Sequence, residues 1–573
     1  MKALICTLNS KYIHSTLAPW CLFTACRSYC EKAHDLKVIE GTVNEKTNSL
    51  LKRITDGKPD AITFSVYIWN KNKTLELCEK IKKNNPSTVI ILGGPEVAYN
   101  QKEVLENNTF VDFVLSGEGE LILPKLLDCI ADGISAKSTD GVSLRSNDSF
   151  IIKNEVIGES FDYPSPYCEE YLNALGGRIA YIESSRGCPF SCAYCLSGRC
   201  GKVKLKSLDK TKKELLLLAN SGTKTVKFID RTFNCSNDRA VEILRFINES
   251  YGKTIPEGVC FHFEISADIL KDSFIEEVAR SAKGTFQFEI GIQSMNADTL
   301  KAIGRKSDLD KLCDNIKKLT TLRSCHIHTD LIAGLPAETL QSFIDGFNRS
   351  YILGADMLQL GFLKLLHGSP MREEKKRFPC SFSPVPPYEV IATPTMSEAD
   401  LDTLRTAEKE VDRLHNSGRF RRTLTYALES TSLSPFELFL FLGKELEKAL
   451  TDHAVPLDCY TDAVYEALSS LAGIDKAVLR DKMIFDRIAT NNSGIIPKSL
   501  CITDKRLKKA KQIIAQIRPI KSGVNRSVAI LYTEKRVIFC DYEKRDAVSG
   551  EFEVREETFD FFGETFFDFD IDK

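Results

Sequence analysis

The sequence has almost no net charge and no long hydrophobic run. Over 573 residues, 77 Lys and Arg nearly balance 79 Asp and Glu, so the formal net charge is −2. A charge of that size would not draw the whole chain to a nucleic acid or a membrane, and such a partner would need a local patch. No stretch approaches the roughly 18 apolar residues of a membrane span, and the first strand-like segment, MKALICTLNS, lacks the apolar core of a signal peptide. We therefore expect no membrane association.

The pattern of a disulfide-bonded protein is also missing. The 19 cysteines are odd in number and are scattered from Cys6 to Cys540. Disulfide frameworks belong mainly to short secreted chains with paired cysteine spacings. The expected location is a reducing cytoplasm.

The length predicts several domains, because one hydrophobic core rarely extends beyond about 300 residues. We find no internal repeat and divide the chain at changes of pattern. The predicted units are a cofactor-binding domain (1–155), a linker (156–177), a barrel domain (178–375) and a mostly helical C-terminal extension that ends in a small β-hairpin and an acidic tail (376–573).

Short β-rich runs alternate with amphipathic helical stretches in the first domain. Strands are predicted at 2–8, 35–41, 60–68, 88–94 and 111–117. This rhythm is typical of an α/β fold with a doubly wound parallel sheet of the Rossmann or flavodoxin type, whose ligands lie beyond the carboxyl ends of the strands. Glycines at those ends would allow close backbone approach to a bulky ligand: Gly93, Gly94, Gly117 and Gly119.

A second alternating series follows the proline-containing segment DYPSPY (162–167). Six strands are predicted at 178–184, 225–230, 260–268, 285–294, 326–336 and 356–366. Six β/α units with nearly continuous apolar strands predict a partial parallel barrel with its chemistry at the C-terminal mouth. A proline-rich stretch (377–390) ends the series, and the chain is then predicted to be mostly helical to about 520, with a hairpin over 527–543.

Three cysteines, Cys188, Cys192 and Cys195, stand in the segment GCPFSCAYC just after the first barrel strand. Three thiolates could serve a structural zinc, a closed iron–sulfur cluster, or a cluster with one iron left open. The first two normally need a fourth protein ligand, and the nearby Cys200 is not part of a paired C-x2-C knuckle. The spacing and the location favour the open cluster.

The segment RGCPFSCAYC in this position resembles the cluster motif of the radical S-adenosylmethionine (SAM) family. In that family the three thiolates hold a 4Fe-4S cluster whose open iron chelates SAM, and an electron splits SAM to give a deoxyadenosyl radical. KFIDRTFN, FEIGIQS and DLIAGLPAET, on the second, fourth and fifth strands, resemble the SAM-contacting segments of the family. The resemblance implies SAM contacts at Tyr194, Asp230, Arg231, Glu289, Gln293, Ile332 and Gly334, and it leaves the catalytic residues unknown.

Other polar residues on the barrel strands have more than one interpretation. Glu264 and Asp268 could line the barrel interior as functional groups or as structural ones. His326 and His328 alternate onto one strand face, which could suggest a second metal. We favour hydrogen-bonded core histidines, because no third ligand is evident nearby.

A doubly wound domain directly before such a barrel resembles the B12-binding module of the cobalamin-dependent radical SAM enzymes. The alternative is a nucleotide-binding or purely structural domain, although no G-x-G-x-x-G opens a helix after the first strand. Neither His14 nor His34 lies in D-x-H-x-x-G, the motif that supplies a lower cobalt ligand in other cobalamin domains. The resemblance implies a cobalamin among the four glycines, with its lower face at Tyr67, Trp69 and Asn70.

The C-terminal region carries two oppositely charged segments. Residues 498–526 hold nine basic residues against one acid, and the last 24 residues hold nine acids, two bases and six Phe between Phe559 and Phe569. A basic helix can bind phosphates, so an RNA substrate is conceivable. We favour docking of the acidic tail on the basic helix, because charge runs are commonly matched within a protein. This region is expected to cap the barrel mouth.

These patterns lead to one preferred hypothesis, which needs a 4Fe-4S cluster, SAM, cobalamin and an external low-potential electron donor. The chain would methylate an unactivated carbon through a deoxyadenosyl radical and methylcobalamin. A second hypothesis keeps the cofactors but gives cyclisation or rearrangement, with an RNA nucleoside among the conceivable substrates. A third, from a different class, is a cobalamin or redox sensor, against which the intact cysteine motif argues. Small-molecule, peptide and RNA substrates all stay open.

Overall fold

The computed structural model describes residues 1–147, 149–450, 455–521 and 523–563. Its N-terminal domain is built on a seven-stranded sheet in the order β2-β1-β3-β4-β5-β6-β7, with β1 to β5 parallel and β6 and β7 antiparallel. The strands are β1 Lys2–Asn9, β2 Asp35–Thr42, β3 Ala61–Ser65, β4 Val89–Gly93, β5 Phe113–Leu115, β6 Val142–Ser146 and β7 Ser149–Ile151.

Helices α1 to α5 connect these strands, and the predicted doubly wound α/β fold is confirmed. They are α1 Ala18–Tyr29, α2 Thr47–Thr55, α3 Lys71–Asn84, α4 Gln101–Asn107 and α5 Gly119–Ala131. The sequence did not predict α4, β6 or β7. Strands β6 and β7 escaped because VSLRSNDSFI (142–151) is short and polar, and so shows no long period-2 pattern.

The barrel domain is a six-stranded parallel sheet in the order β15-β14-β13-β12-β11-β8. Its strands are β8 Ala180–Ile182, β11 Thr225–Phe228, β12 Cys260–Ile265, β13 Phe286–Gln293, β14 His326–Ala333 and β15 Met357–Phe362, and two short strands, β9 Ser185–Arg186 and β10 Lys204–Leu205, form a separate ladder. The helices are α6 Glu169–Leu175 in the linker, then α7 Leu208–Ala219, α8 Asn237–Ser250, α9 Asp272–Ala279, α10 Ala297–Ala302, α11 Leu309–Leu322, α12 Leu340–Tyr351 and α13 Pro370–Glu373.

Alternation along the strands gives the barrel a polar interior. In β13, Phe286, Phe288 and Ile290 are fully buried, whereas Glu289 and Gln293 keep some exposure. Because successive strand residues point to opposite faces, the apolar set packs against the helices and the polar set faces inward. The interior can therefore offer charged groups to a ligand.

Both open edges of the partial barrel are covered by other parts of the chain. At the β8 edge, the Ile179 N–H donates to the Ile13 carbonyl (3.0 Å), and the Ser15 hydroxyl donates to the Ile179 carbonyl (2.6 Å). At the β15 edge, the Asn416 side chain accepts from the Leu358 N–H (2.9 Å) and donates to the Leu358 carbonyl (3.1 Å). The N-terminal domain thus joins one edge of the barrel, and the C-terminal region joins the other.

The C-terminal region is mostly helical, as predicted. It contains the short strands β16 Ser381–Phe382 and β17 Val390–Ala392, the helices α14 Glu398–Glu410, α15 Arg421–Ser430, α16 Pro435–Ala449, α17 Leu457–Ser469, α18 Lys476–Thr490 and α19 Lys505–Ile517, and a π-helical turn at Val411–Asn416. The predicted hairpin is present and is extended by a third strand into an antiparallel sheet of β18 Arg526–Leu531, β19 Arg536–Arg545 and β20 Phe552–Thr558. Among the described residues, no helix combines the length and the hydrophobicity that crossing a bilayer requires.

The terminal sheet lies at the end of the barrel where the strands begin, opposite the mouth. The expectation that the C-terminal region caps the mouth is therefore wrong for this sheet. Ala547, between β19 and β20, packs against Gly284, which precedes β13, and neighbouring Lys283 forms an ion pair with Asp546. The mouth is instead approached by residues 377–395, which share a small cavity with Gly334 at the end of β14.

The predicted docking of the acidic tail on α19 is present for the described tail residues, 550–563. Phe559 and Phe562 share a buried cluster with Ile514 of α19, and Arg518 lies 3.5 Å from Glu557. Residues 564–573 of the predicted acidic tail lie outside the described residues.

Candidate active site

The loop with the three cysteines is held at both ends. Strands β9 and β10 pair antiparallel across its base, joining Ser185 to Leu205. Within the loop, Ala193 donates its N–H to the Ile303 carbonyl (2.9 Å) and accepts from the Met371 N–H (3.0 Å). These backbone bonds fix the cysteines at the barrel mouth, beside the ends of β11, β12 and β13.

Cys188, Cys192 and Cys195 all line one cavity of about 220 Å³. The Cys192 sulfur lies 4.0 Å from Nη1 of Arg305, and the Cys195 sulfur accepts from the Ser197 N–H at 3.4 Å. Burial raises the pKa of the Cys192 thiol, so a cationic centre would have to replace its proton. Three convergent sulfurs with cationic and N–H donors beside them fit a cluster that leaves one iron open.

Four of the predicted SAM residues lie on this cavity: Tyr194, Arg231, Glu289 and Gln293. Gln293 ends β13 with a φ of 69°, an unusual value for a residue other than glycine. The structure brings these side chains together with the cysteines, and their contacts with SAM stay predictions.

The remaining three, Asp230, Ile332 and Gly334, are not on the described lining of the cavity. Asp230 is 1% exposed, and its carboxylate accepts from the Ser184 N–H (2.7 Å) and hydroxyl (2.5 Å), so it anchors the end of β8. Gly334 faces residues of the C-terminal region, because a β-carbon there would lie 2.7 Å from Val390 Cγ1. Ile332 is partly buried against the main hydrophobic core.

Glu289 is the centre of a charged group in the barrel interior. Its carboxylate lies 3.1 Å from Lys227 and 3.3 Å from His262. Burial alone would raise the pKa of Glu289, but the bond with His262 and the charge of Lys227 outweigh it and lower the pKa to about 2. Glu289 is thus ionised, with Lys227 as its counter-ion.

The prediction that no third ligand lies near the barrel histidines was wrong for His328. Glu289, His328 and Asp330 place ligand atoms within 4.8 Å of one another. Asp330 stands two residues after His328 and therefore shares its strand face, which is the signal that sequence reasoning overlooked. Glu289 is already paired with Lys227 and His262, so we regard this group as polar lining of the cavity.

Glu264 and Asp268 differ in role. Glu264 lines the cavity 3.8 Å from Arg231, and burial raises its pKa. Asp268 is buried and accepts from the Ser266 hydroxyl at 2.6 Å, which is a structural contact.

A larger cavity of about 650 Å³ lies between the N-terminal domain and the barrel mouth. Its floor is formed by the carboxyl ends of β1, β3, β4 and β5, which is where a doubly wound sheet binds ligands. Six of the seven predicted cobalamin residues line it: Tyr67, Trp69, Gly93, Gly94, Gly117 and Gly119.

Two of these glycines are required by the protein's own backbone. Gly94 and Gly117 both have a φ of 106°, and an added β-carbon would lie 2.5 Å from the Val66 carbonyl oxygen and 2.2 Å from the Val156 carbonyl oxygen, respectively. The predicted reason, close approach to a ligand, is therefore incomplete, since the turns themselves exclude a side chain. They leave a smooth floor that suits a broad ligand.

The aromatic pair after β3 forms one wall of the larger cavity. Tyr67 and Trp69 are stacked, with centroids 4.5 Å apart and planes 4° apart, and Trp69 stays 50% exposed. Asn70 is not on the described lining of the cavity. Its buried side chain donates to the Leu8 and Ser65 carbonyls (both 3.1 Å) and accepts from the Tyr67 N–H (2.8 Å). The predicted contact between Asn70 and cobalamin is thus replaced by a structural role.

Sequence reasoning missed an ionic network that joins the two domains at the cavity wall. Arg186 lies 2.8 Å from Glu120 of α5 and 2.8 Å from Glu183, and 3.4 Å from Glu118. All four residues line the larger cavity. The position of Arg186, immediately before the cysteine motif, was the available signal.

Comparison with known families agrees with this geometry. Residues 5–127 match the B12 binding domain, and residues 182–348 match the radical SAM superfamily. The chain thus contains a B12 binding domain followed by a radical SAM domain. Residues 376–538 match a further family, "Protein of unknown function (DUF4080)", which accounts for most of the C-terminal region.

Its curated relatives include methyltransferases. The cobalamin-dependent radical SAM methyltransferase TokK of Streptomyces tokunonensis is 26% identical over 62% of this chain and 54% of TokK. The 2-(S-pantetheinyl)-carbapenam-3-carboxylate methyltransferase of Streptantibioticus cattleyicolor is 27% identical over 51% of this chain and 44% of that protein. The chain thus spans about half the length of these relatives.

A solved structure extends the similarity of fold beyond the two cofactor domains. The cobalamin-dependent S-adenosylmethionine radical enzyme OxsB, solved with aqua-cobalamin and S-adenosylmethionine bound, covers 91% of this chain and 82% of its own, with a TM-score of 0.59 and 14% identity. At that identity the likeness shows the fold alone.

Proposed function

We propose that the chain is a cobalamin-dependent radical SAM enzyme that methylates an unactivated carbon. The observation that carries the proposal is that the cysteine cavity and the larger cavity share two lining residues, Arg231 and Glu264. A substrate held between them would touch both cofactor sites. The methyltransferases among the relatives support this reaction class.

When bound, the cluster and SAM would supply a deoxyadenosyl radical, and methylcobalamin would supply the methyl group. Cys188, Cys192 and Cys195 would hold the cluster, while Arg231 and Glu289 would face the charged and hydroxyl groups of SAM. The strand ends with Gly94 and Gly117 would seat the cobalamin, with the Tyr67–Trp69 pair against its lower face.

The chain's own contribution is positioning and exclusion of water. Arg186 and its three glutamates tie the loop before the cysteines to α5. Glu96 accepts from the Tyr388 hydroxyl, and Lys71 donates to the same hydroxyl at 2.7 Å, so the N-terminal domain also contacts the C-terminal region. Contacts on both sides hold the cofactor sites at a fixed separation, which radical transfer requires.

We propose a substrate that is not RNA. The basic helix α19 packs on the terminal sheet, and that sheet contacts the barrel at the end opposite its mouth. Phosphates bound on α19 would therefore lie away from the mouth. This arrangement favours a small molecule or a peptide segment that enters between the two domains.

The proposed reaction takes its electron from an external low-potential donor in a reducing cytoplasm. Every cysteine whose side chain the structure describes is a free thiol, which supports that setting. Exposed basic residues flank the cysteine loop and would suit an acidic donor protein: Arg199, Lys202, Lys301 and Lys306.

The test is anaerobic purification with cobalamin supplied, followed by quantification of iron, sulfide and cobalt and by incubation with methyl-labelled SAM and candidate substrates. One cluster and one cobalamin per chain with label in a product would support methylation. A product without label, formed with both cofactors present, would replace methylation by rearrangement. No SAM cleavage by the reduced, fully loaded protein with any candidate substrate would favour a sensor.

A further inference from the structure

A second group of metal-ligating side chains lies at the end of the N-terminal domain opposite the large cavity. Cys30, His34 and Asp128 place a sulfur, a ring nitrogen and a carboxylate oxygen within 4.8 Å of one another. Cys30 follows the last turn of α1, His34 directly precedes β2, and Asp128 lies in the last turn of α5. The proposed reaction uses none of them.

The group is enclosed and preorganised. The His34 side chain has no exposed surface, and that of Asp128 is 15% exposed. His34 Nε2 lies 2.9 Å from Asp128 Oδ1, while His34 Nδ1 is buried without a hydrogen-bond partner. The other carboxylate oxygen, Oδ2, accepts from the Glu31 N–H at 2.8 Å, a second contact that orients the carboxylate.

A fourth ligand is close by. Cys26 is buried one helical turn before Cys30 on α1, and it would complete the set by turning its thiol toward the other three ligand atoms. Sulfur, sulfur, imidazole and carboxylate make a donor set that zinc accepts in tetrahedral sites, whereas magnesium and calcium prefer oxygen alone. A simple hydrogen bond between His34 and Asp128 does not explain why the Cys30 thiol lies within 4.8 Å of both.

We propose that Cys30, His34 and Asp128, with Cys26 as the fourth ligand, bind a zinc ion. Binding releases the thiol protons, and the ion takes the place of the proton that His34 and Asp128 share. No electron transfer is involved.

The ion would tie together two helices that form the wall of the large cavity. The amino end of α1 contributes Ala18 and Cys21 to that wall, and the amino end of α5 contributes Gly119 and Glu120. The proposed site joins the carboxyl ends of the same helices, so it acts as a structural brace for the domain.

The test uses the full chain with Cys188, Cys192 and Cys195 replaced by Ala, so that cluster iron and cluster sulfide do not interfere. We expect about one zinc per chain after purification, and thiolate-to-cobalt charge-transfer bands after exchange with Co²⁺. His34→Ala and Cys30→Ser should each lower the zinc content at least fivefold. Asp128→Asn, which keeps a hydrogen bond to His34, should lose the ion to a chelator more readily.

The matched control is Cys129→Ser, which removes a half-buried thiol next to Asp128 whose sulfur faces Thr139 instead. It should keep its zinc and its cobalt spectrum. Circular dichroism and cobalamin binding would establish that each variant is folded. Zinc content unchanged in His34→Ala, or a folded parent chain that binds neither zinc nor cobalt, would overturn the proposal.

Discussion

The cysteine cavity and the larger cavity are lined by different kinds of chemical groups. The cysteine cavity is lined by thiols and charged side chains, and several of these, such as Glu289, are held by ion pairs. The larger cavity has a floor of strand ends and glycines, with one stacked aromatic pair. One site thus depends on side-chain chemistry, and the other depends on backbone shape. Substitutions in each should remove one cofactor and spare the other.

The largest effect is expected for Cys192→Ala. It should abolish cluster loading and SAM cleavage, because three thiolates are the minimum set for the open cluster. Cobalamin affinity should stay within about twofold, since the two sites share walls but no ligands. Iron and sulfide analysis and a cobalamin titration would measure both. Cys235→Ala, a neighbouring half-buried thiol off the described cavity lining, is the control and should load normally. Loss of both the cluster and cobalamin in Cys192→Ala would refute the independence of the two sites.

The opposite experiment is Gly117→Ala. The new β-carbon would meet the Val156 backbone and force a strained φ, so the turn after β5 must shift. We expect cobalamin affinity to fall at least tenfold while iron and sulfide content stays at the parent level. Gly133→Ala, at a positive φ of 65° with open space around it, controls for backbone strain alone. Unchanged cobalamin binding by Gly117→Ala would contradict a cavity set by shape.

A smaller change is expected for Trp69→Ala. Removing one half of the stack should weaken cobalamin binding about three- to tenfold, as expected for loss of a partly buried aromatic contact. Trp69→Phe should recover most of the affinity, because a flat ring remains on Tyr67. Isothermal titration of cobalamin would compare them with Ile134→Ala, an exposed apolar residue off the described cavity lining. Equal cobalamin affinities for Trp69→Ala, Trp69→Phe and Ile134→Ala would show that Trp69 does not contact cobalamin.

The smallest effect concerns pH and the wall behind the cysteine cavity. Burial raises the pKa of Glu338 to about 7, against the opposing effect of its hydrogen bond with Ser294, the residue after Gln293. Because the folded pKa exceeds the unfolded one, the stabilisation is complete below about pH 4.5 and is lost as the pH rises through 7. Between pH 5 and 8 this group should lower the free energy of unfolding by on the order of 2 kcal/mol.

Glu338→Gln should remove that slope. Urea midpoints measured at several pH values would compare the variant with the parent chain, and Glu276→Gln, on the exposed surface of α9, would serve as the control. If the urea midpoint changes with pH in the same way in the parent chain and in Glu338→Gln, Glu338 is not a buried neutral carboxyl group at low pH.

The difference between the two cavities also explains how much of the site could be predicted from the sequence. The three cysteines lie within eight residues on one loop, so their spacing carries their chemistry. Asp230 and Arg231 are adjacent at a strand end, but one side chain enters the core and the other enters the cavity, and sequence position does not decide which. Gly334 is covered by Val390, more than 50 residues later, and such a contact leaves no local pattern.

The fold followed more directly from the pattern than the contacts did. Strands with a clear alternation such as β13 and amphipathic helices such as α3 were predicted because their periods are strong. The polar strands β6 and β7 were missed for the opposite reason. The place of the terminal sheet was missed because its contact with Gly284 joins segments that are far apart in the chain.

Asn416 has a consequence for how the chain can be divided. A strand edge with free N–H and carbonyl groups is a template for pairing with other molecules, and proteins commonly cover it. Here one amide side chain satisfies both groups of Leu358 and so blocks the edge of β15. A fragment that ends with the barrel would expose this edge to its own copies and would tend to aggregate. We therefore expect that a soluble fragment containing the barrel has to extend past Asn416.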